Sequence, residues 1–386
     1  MSTKERSRFS DFRAGIAPAM SDFRFTLRKI RKSPLSIAGI IIVAIFLGIA
    51  IFAPWIAPPA VGTRDPAMIW NDGYALPPKP PGSPVIINEG AMKAGYTSHI
   101  FGTTQMQYDI FYGCIWGSRT AFRIGVLVVA IALIIGIFLG SVSGFYGGVI
   151  DELMMRFTDV VLAFPGLILA MALVIALPVV WKIDVGYLLV VLLLFVGPLI
   201  IGHFLKIRGL WTFLIGVAGV VAFVALQTFL PGTTIWMWPL ELGQLDKVLI
   251  ALTLVGWPGY TRVIRGEILR IKGEDYIEAS KAVGCSDLRV ITKHIVPNAI
   301  YPVVIMASLD IGSMVLTAAA LSFLGIGAPE GYADWGQMIS LARNWMSLQY
   351  WYVFITPGIF IFVFVLGWNL LGDAFRDILD PTLRRK

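Results

Sequence analysis

Between Leu35 and Ala57 the chain runs 23 residues without a charged side chain. A helix needs about 20 such residues to cross the hydrocarbon core of a bilayer, and a water-soluble domain has no use for several blocks of that length. Further apolar blocks follow, giving about eight predicted spans, roughly 35–57, 123–145, 160–180, 186–205, 209–230, 247–262, 300–320 and 351–371. Composition agrees, with 57% of the 386 residues apolar and only 14% charged, against about 25% charged in a soluble domain. Because backbone in lipid must satisfy its own polar groups, the predicted fold class is all-α and polytopic.

The net charge of +7 is not a nucleic-acid footprint, since the basic residues sit in the short segments between apolar runs rather than in one patch. Their distribution sets an orientation instead. Residues 1–34 hold nine Lys and Arg, 146–159 one, 206–208 two, 262–299 seven and 372–386 four, together 23 of the 31. Positive charge stays inside, so both termini are predicted to be cytoplasmic, with tails at 1–34 and 372–386. The first tail is too long and polar for a cleavable signal. The first transmembrane helix, 35–57, is followed by 58–122, which carries Pro58, Pro59, Pro66, Pro77, Pro78, Pro80, Pro81 and Pro84. Prolines so dense forbid a spanning helix, which makes 58–122 an extracytoplasmic segment. The predicted core then runs over 123–371.

Few residues here can do chemistry. No phosphate-binding GxxxxGK[ST] loop occurs, and the three histidines (His99, His203, His294) form no metal motif. Cys114 and Cys285 stand far apart without ligand spacing. Asp310 is the clear charge inside a span, and a costly intramembrane acid is read first as functional. Asp310, Ser313 and Thr317 are therefore candidate translocation-path residues; the alternative is an acid hydrogen-bonded between helices. Gly136, Gly140 and Gly144 form a helical stripe that lets another helix approach closely. That stripe serves either internal packing or a groove facing a subunit or pore.

The loop 263–299 is the most informative. GEDYIEASKAVG (273–284) puts Glu274 and Asp275 at a helix start and Lys281 near its end, both suited to the helix dipole. Gly284 sits where a left-handed C-cap glycine belongs. Ser286 and Asp287 can cap a second helix, which Pro297 is expected to close.

Glu278-Ala279-Ser280, then Gly284, then Val296-Pro297 resembles the EAA motif of bacterial and archaeal ABC import permeases. The segments 145–170, LVGWPGYTRVIRGEIL (254–269), LSFLGIG (321–327), DWGQMI (334–339) and GDAFRDILDPTLR (372–384) are similar to the dipeptide/oligopeptide/nickel permease family, in its subunit with the longer N-terminal tail. Four departures stand out. Ser280 replaces Ala, and Ala318 stands where the family often carries Glu. The family pattern GTD, two residues, GRD becomes Gly102-Thr103-Thr104 with Tyr108-Asp109. Finally, about 182–245 holds two extra apolar runs.

The resemblance implies a type I importer transmembrane domain, a six-helix core plus an inserted two-helix hairpin, in a bacterial or archaeal cell membrane. It implies import driven by ATP and dependent on a binding protein, with di- and oligopeptides as the leading substrate and nickel and oligosaccharides as others. The implied partners are a sister permease in a heterodimer, two cytoplasmic ATP-binding subunits and an extracytoplasmic substrate-binding protein. Glu278, Ala279, Ser280, Gly284 and Pro297 would belong to the ATPase-coupling loop. No cofactor is expected on this chain; ATP and Mg would reside in the ATPase subunits. The segment 58–122 is either a platform for the binding protein or a spacer.

Overall fold

A computed structural model describes residues 33–74, 77–177, 180–184, 237–241 and 243–379. Helix α1 (Pro34–Ile56) starts where its N-cap allows: the Ser33 hydroxyl accepts from the Ser36 N–H at 3.3 Å, and Pro34 occupies the first turn, where no N–H is missed. A short α2 (Glu89–Lys93) interrupts an otherwise irregular segment before α3 (Ile110–Tyr146). Then come α4 (Gly148–Ala163), α5 (Gly166–Ala176) and α6 (Gln244–Lys272). The short α7 (Asp275–Ala282), α8 (Asp287–Val290) and α9 (Val296–Ala299) lead into α10 (Tyr301–Phe323), α11 (Trp335–Leu341) and α12 (Trp351–Leu379).

Four helices among the described residues are long and apolar enough to cross a bilayer: α1, α3, α10 and the run Leu348–Ile378. The pair α4 and α5 counts as a fifth if its 92° bend marks one broken span. Two predicted spans change here. The second begins at Ile110 rather than 123, so the proline-rich segment ends thirteen residues earlier than expected. At 37 residues α3 is about 55 Å long, well beyond a hydrocarbon core of about 30 Å, so it projects from the membrane. The third, 160–180, is not one straight helix. Pro165 has no N–H and pushes Phe164 into the extended region (φ −87°, ψ 138°), which ends α4 at Ala163 and turns the chain. The predicted span 247–262 lies within α6, whose second half carries Arg262, Arg265, Glu267, Arg270 and Lys272.

The chain divides into two compact units, one of Met1–Ile175 with Lys247–Lys386 and one of Ala176–Asp246. In the second, β1 (Val180–Asp184) pairs antiparallel with β2 (Met237–Glu241), Val180 opposite Glu241 and Asp184 opposite Met237. This ribbon is an exception to the all-α expectation. The predicted spans 186–205 and 209–230 lie outside the described residues, as do 1–32 and 380–386 of the predicted tails.

The core of the first unit is aromatic. Phe46 of α1 meets Phe364 of α12 edge to face at 5.4 Å, Phe122 of α3 meets the same ring at 5.2 Å, and Trp335 of α11 lies 5.6 Å from it. Such geometry matches ring quadrupoles and fixes helix spacing. The Trp335 Nε1–H donates to the Cys114 carbonyl at 3.1 Å, which seats α11 against α3.

Residues 57–109 cap one end of these helices with little regular structure. Their backbone carbonyls, two of them on prolines, accept from aromatic donors. Tyr96 donates to the Pro58 carbonyl (3.0 Å), Tyr112 to that of Pro66 (2.6 Å), and the Trp116 indole to that of Ala57 (2.9 Å). At the centre the buried Asp72 carboxylate receives Lys79 Nζ at 2.7 Å and the N–H groups of Ile87 (2.6 Å), Asn88 (2.9 Å) and Ile86 (3.0 Å). Burial alone would raise its pKa, but Lys79 and these backbone donors outweigh it and hold the acid well below the usual carboxylate range. His99 lies between two acids, with Nδ1 2.7 Å from Asp109 Oδ2 and Nε2 3.5 Å from Asp72 Oδ2. Trp70 stacks on its ring at 5.3 Å.

Candidate functional site

Two surfaces carry the candidate residues. The first is the segment at the opposite end of the helices, 273–300. Helix α7 ends in a Schellman turn: the Gly284 N–H donates to the Lys281 carbonyl at 2.9 Å and the Cys285 N–H to the Ser280 carbonyl at 3.1 Å. This closure requires Gly284 at φ +88°, the left-handed region where a Cβ is penalised. Nothing lies within 4 Å of a Cβ placed there, so any penalty is one of backbone alone. Ser286 occupies the N-cap position of α8, but its side chain makes no capping bond.

Pro297 does not close the second helix. Residues Ile291–Ile295 form a π-turn and Val296–Ala299 continue helically through the proline. A π-turn redirects the i−4 ladder, so the missing N–H of Pro297 leaves no carbonyl orphaned inside a strict α-helix. The chain bends instead at Ile300, before α10.

One face of this segment is anchored and the other is bare. Ile277, Val290, Ile295 and Ala299 are fully buried, and Ile291 nearly so. Lys281 lies over the Phe145 ring at 5.1 Å, and Lys272 donates to the Phe145 carbonyl at 2.6 Å. Glu278, Ala279, Gly284 and Pro297 are exposed, and Ser280 is half-buried with its hydroxyl donating to the Tyr276 carbonyl at 2.7 Å. On the bare face Val283 is 86% and Leu288 71% exposed, an arrangement that leaves apolar surface for another protein.

The segment is tied to the helices through α6. Arg265 grips Asp151 of α4 bidentately, Nε to Oδ1 and Nη2 to Oδ2, both 2.5 Å, and Ser143 donates to the same carboxylate. Arg262 pairs with Asp159 at 2.5 Å. The sequence carries all four charges, but only the fold shows that α4 and α6 lie side by side. Gly136, Gly140 and Gly144 of α3 also face α6. A Cβ at Gly140 would meet Ile264 Cγ2 at 2.5 Å and the Thr261 carbonyl at 2.6 Å, and one at Gly144 would meet Ile268 Cγ2 at 3.0 Å. The stripe is where α3 and α6 touch.

The second surface runs along α10. Asp310 is half-buried and its Oδ2 accepts from the hydroxyl of the fully buried Tyr260 of α6 at 2.7 Å. Ser313 is exposed and donates to the Asp310 carbonyl at 3.0 Å; the half-buried Thr317 donates to the Ser313 carbonyl at 2.8 Å. Beyond them α5, α6 and α10 line a cavity of about 330 Å³ whose walls include Gly166, Leu167, Val255, Gly256, Met314 and Thr317. Asp310, Met314 and Thr317 share one face, spaced by four and seven residues. Tyr260 was not singled out by sequence; an aromatic in an apolar span reads as core until its hydroxyl is seen to reach an acid. Among the described residues no group of His, Cys, Asp and Glu could hold a metal ion.

Residues 132–385 match the family described as binding-protein-dependent transport system inner membrane component, and 21–78 match the N-terminal TM domain of oligopeptide transport permease C. The dipeptide transport system permease protein DppC of Alkalihalophilus pseudofirmus is 30% identical over 95% of this chain and 92% of its own. The probable D,D-dipeptide transport system permease protein DdpC of Escherichia coli is 31% identical over 91% and 89%. The oligopeptide transport system permease protein OppC of Bacillus subtilis is 29% identical over 95% and 92%.

Proposed function

The chain belongs to the binding-protein-dependent transport system inner membrane components, and from that premise we propose that it forms half the translocation path of an ATP-driven importer of di- and oligopeptides. In this reading the cap at 57–109 faces the extracytoplasmic side, where a substrate-binding protein delivers its cargo, and both termini are cytoplasmic. A sister permease supplies the other half of the path. Two ATPase subunits hold ATP and Mg and hydrolyse it; this chain does no ATP chemistry. The core is read as six helices, and the insertion as a further two-helix hairpin.

The observation that carries the reading is the segment 273–300, with Glu278, Val283, Gly284 and Leu288 exposed above a buried apolar base. A surface so firmly anchored yet so bare suits a surface that pushes and is pushed. Movement given to α7 by an ATPase passes through α6 to its paired charges on α4 and its packed glycines on α3. The polar stripe Asp310, Ser313 and Thr317 lies on the path that this movement opens. Peptide as cargo rests on the relatives named for dipeptide and oligopeptide transport.

The test is uptake by proteoliposomes holding the complete importer, supplied with binding protein loaded with radiolabelled dialanine and with ATP inside. Uptake that depends on binding protein and ATP is expected. Uptake that persists without ATP, or that never occurs with any short peptide, contradicts the proposal.

A further inference from the structure

An ionised carboxylate inside a span costs several kcal/mol unless something compensates it, and the surroundings of Asp310 compensate only part. The Tyr260 hydroxyl holds one oxygen at 2.7 Å. Ser313, one turn along α10 on the exposed side, donates its hydroxyl to the Asp310 backbone carbonyl at 3.0 Å. No Lys, Arg or His among the described residues pairs with the acid. By contrast Asp151 and Asp159, nearer the charged end of α6, each have an arginine. Asp310 lies nine residues into α10, about 14 Å along a helix of 23 residues and hence near mid-membrane. It is also half-exposed, on the face that continues through Met314 and Thr317 into the 330 Å³ cavity.

These observations fit together if the missing compensation arrives with the cargo. We propose that Asp310, positioned by Tyr260, is a cation subsite on the translocation path that receives the α-ammonium group of a peptide in transit. The inference rests on the peptide-importer reading above. Charge complementarity selects the ligand group: a mid-membrane carboxylate that no cation among the described residues pairs takes a cation that passes. Ser313 and Thr317 supply hydroxyls that can turn toward the following peptide unit. The apolar cavity beyond is of a size that suits a small ligand, for which pockets begin at about 300 Å³.

The experiment compares the wild-type importer with Asp310→Asn, Asp310→Glu and Tyr260→Phe in proteoliposomes, with dialanine as the probe. It measures dialanine uptake, ATP hydrolysis stimulated by loaded binding protein, and recovery of the sister permease with the purified complex. Asparagine still accepts the Tyr260 hydrogen bond but carries no charge, so it separates the two roles. Asp310→Asn is expected to lower dialanine uptake per ATP hydrolysed by about tenfold, the loss of one charge-assisted contact. Asp310→Glu should stay within about threefold of wild type and Tyr260→Phe should fall between them. Unchanged uptake in Asp310→Asn overturns the subsite and leaves Asp310 a hydrogen-bond acceptor for Tyr260. Loss of the sister permease in Asp310→Asn also overturns it, by showing that a cation of that subunit is the partner. Failure of the wild type to take up dialanine would instead remove the peptide-importer reading, and this inference with it.

Discussion

The two polar ends of the helices solve opposite problems. The cap at 57–109 is poor in helix and rich in proline, yet it buries three ionisable groups: Asp72, His99 and Asp109 are each at most 1% exposed and find partners within the cap or at the start of α3. The segment 273–300 is helical and locally regular, yet it leaves Glu278 exposed and Val283 and Leu288 almost bare. The cap pairs these groups within itself and is also tied to the chain before α11, where the Ile69 N–H donates to the Gly331 carbonyl and the Ala333 N–H to the Ala67 carbonyl, both at 2.7 Å. The segment keeps a surface in reserve and needs only a few buried isoleucines to aim it. Apolar exposure on a rigid base marks the end where a partner is expected; buried charged pairs mark the end whose shape they help to hold.

Substitutions can break this contrast, and the largest effect belongs to the cap. Removing Asp72 leaves Lys79 and three backbone donors without their acceptor, a loss of about 3–5 kcal/mol when a buried pair is broken. Asp72→Ala is expected to lower the melting temperature of the purified complex and expose the cap to protease; an unchanged melt would show that the cap does not depend on this acid. The same acid predicts a pH effect. Its folded pKa lies below the unfolded one, so its contribution is complete above the ordinary carboxylate value of about 3.9. That contribution is lost as pH falls from there through the folded pKa. Protease resistance of the cap should therefore persist at pH 5 and fail only in stronger acid.

Next comes the α3–α6 contact. Gly140→Leu places a side chain where even a Cβ meets Thr261 and Ile264, and overpacking of this kind costs about 1–3 kcal/mol. We expect reduced yield of assembled complex, and wild-type yield would show that the two helices separate freely. At 273–300 the energies are smaller but the functional effect is larger. Gly284→Val costs about 1–2 kcal/mol in backbone strain. Because the Schellman turn aims α8, the cost is expected as weaker ATPase docking, about tenfold for each 1.4 kcal/mol, with membrane insertion intact. Gly284→Asn should be milder. Ser280→Ala, which restores the usual third residue of the motif and removes a back-bond to Tyr276, should change stability by less than about 0.5 kcal/mol. Normal docking and stimulated hydrolysis in both Gly284→Val and Glu278→Lys would remove 273–300 from the coupling role.

How far the sequence could be read follows the range of the interactions. The Gly284 turn was legible because a Schellman cap is local, set by residues within six positions. Long apolar runs marked α1, α10 and α12 for a similar reason. The early start of α3 was hidden because 110–122 mixes Gly113, Ser118 and Arg119 with aromatics whose partners lie in the cap and α11. The cap itself was illegible: Asp72 is satisfied by residues 7 to 16 positions away, and nothing in a proline-rich stretch announces that acceptor. Gln107 is instructive. It stands where the family pattern has the Gly of GRD, and its φ is +61°. Its amide donates to the Pro77 carbonyl at 2.6 Å and so offsets the strain. Pro165 and Pro297 were both visible in the sequence, but one ends α4 and turns the chain and the other is absorbed by a π-turn. That difference depends on backbone geometry three or four residues away.

The most direct test of the central claim uses a native side chain. Cys114 is fully buried and Cys285 is half-exposed, next to Gly284 in the segment. A photoactivatable maleimide placed on Cys285 in the complete importer should, on illumination, join this chain to the ATPase subunit. The yield should fall in Gly284→Val and remain in Asp72→Asn protein that still assembles. Cross-links confined to lipid, or to the substrate-binding protein, would contradict the account, because they would place 273–300 away from the ATPase or on the other side of the membrane.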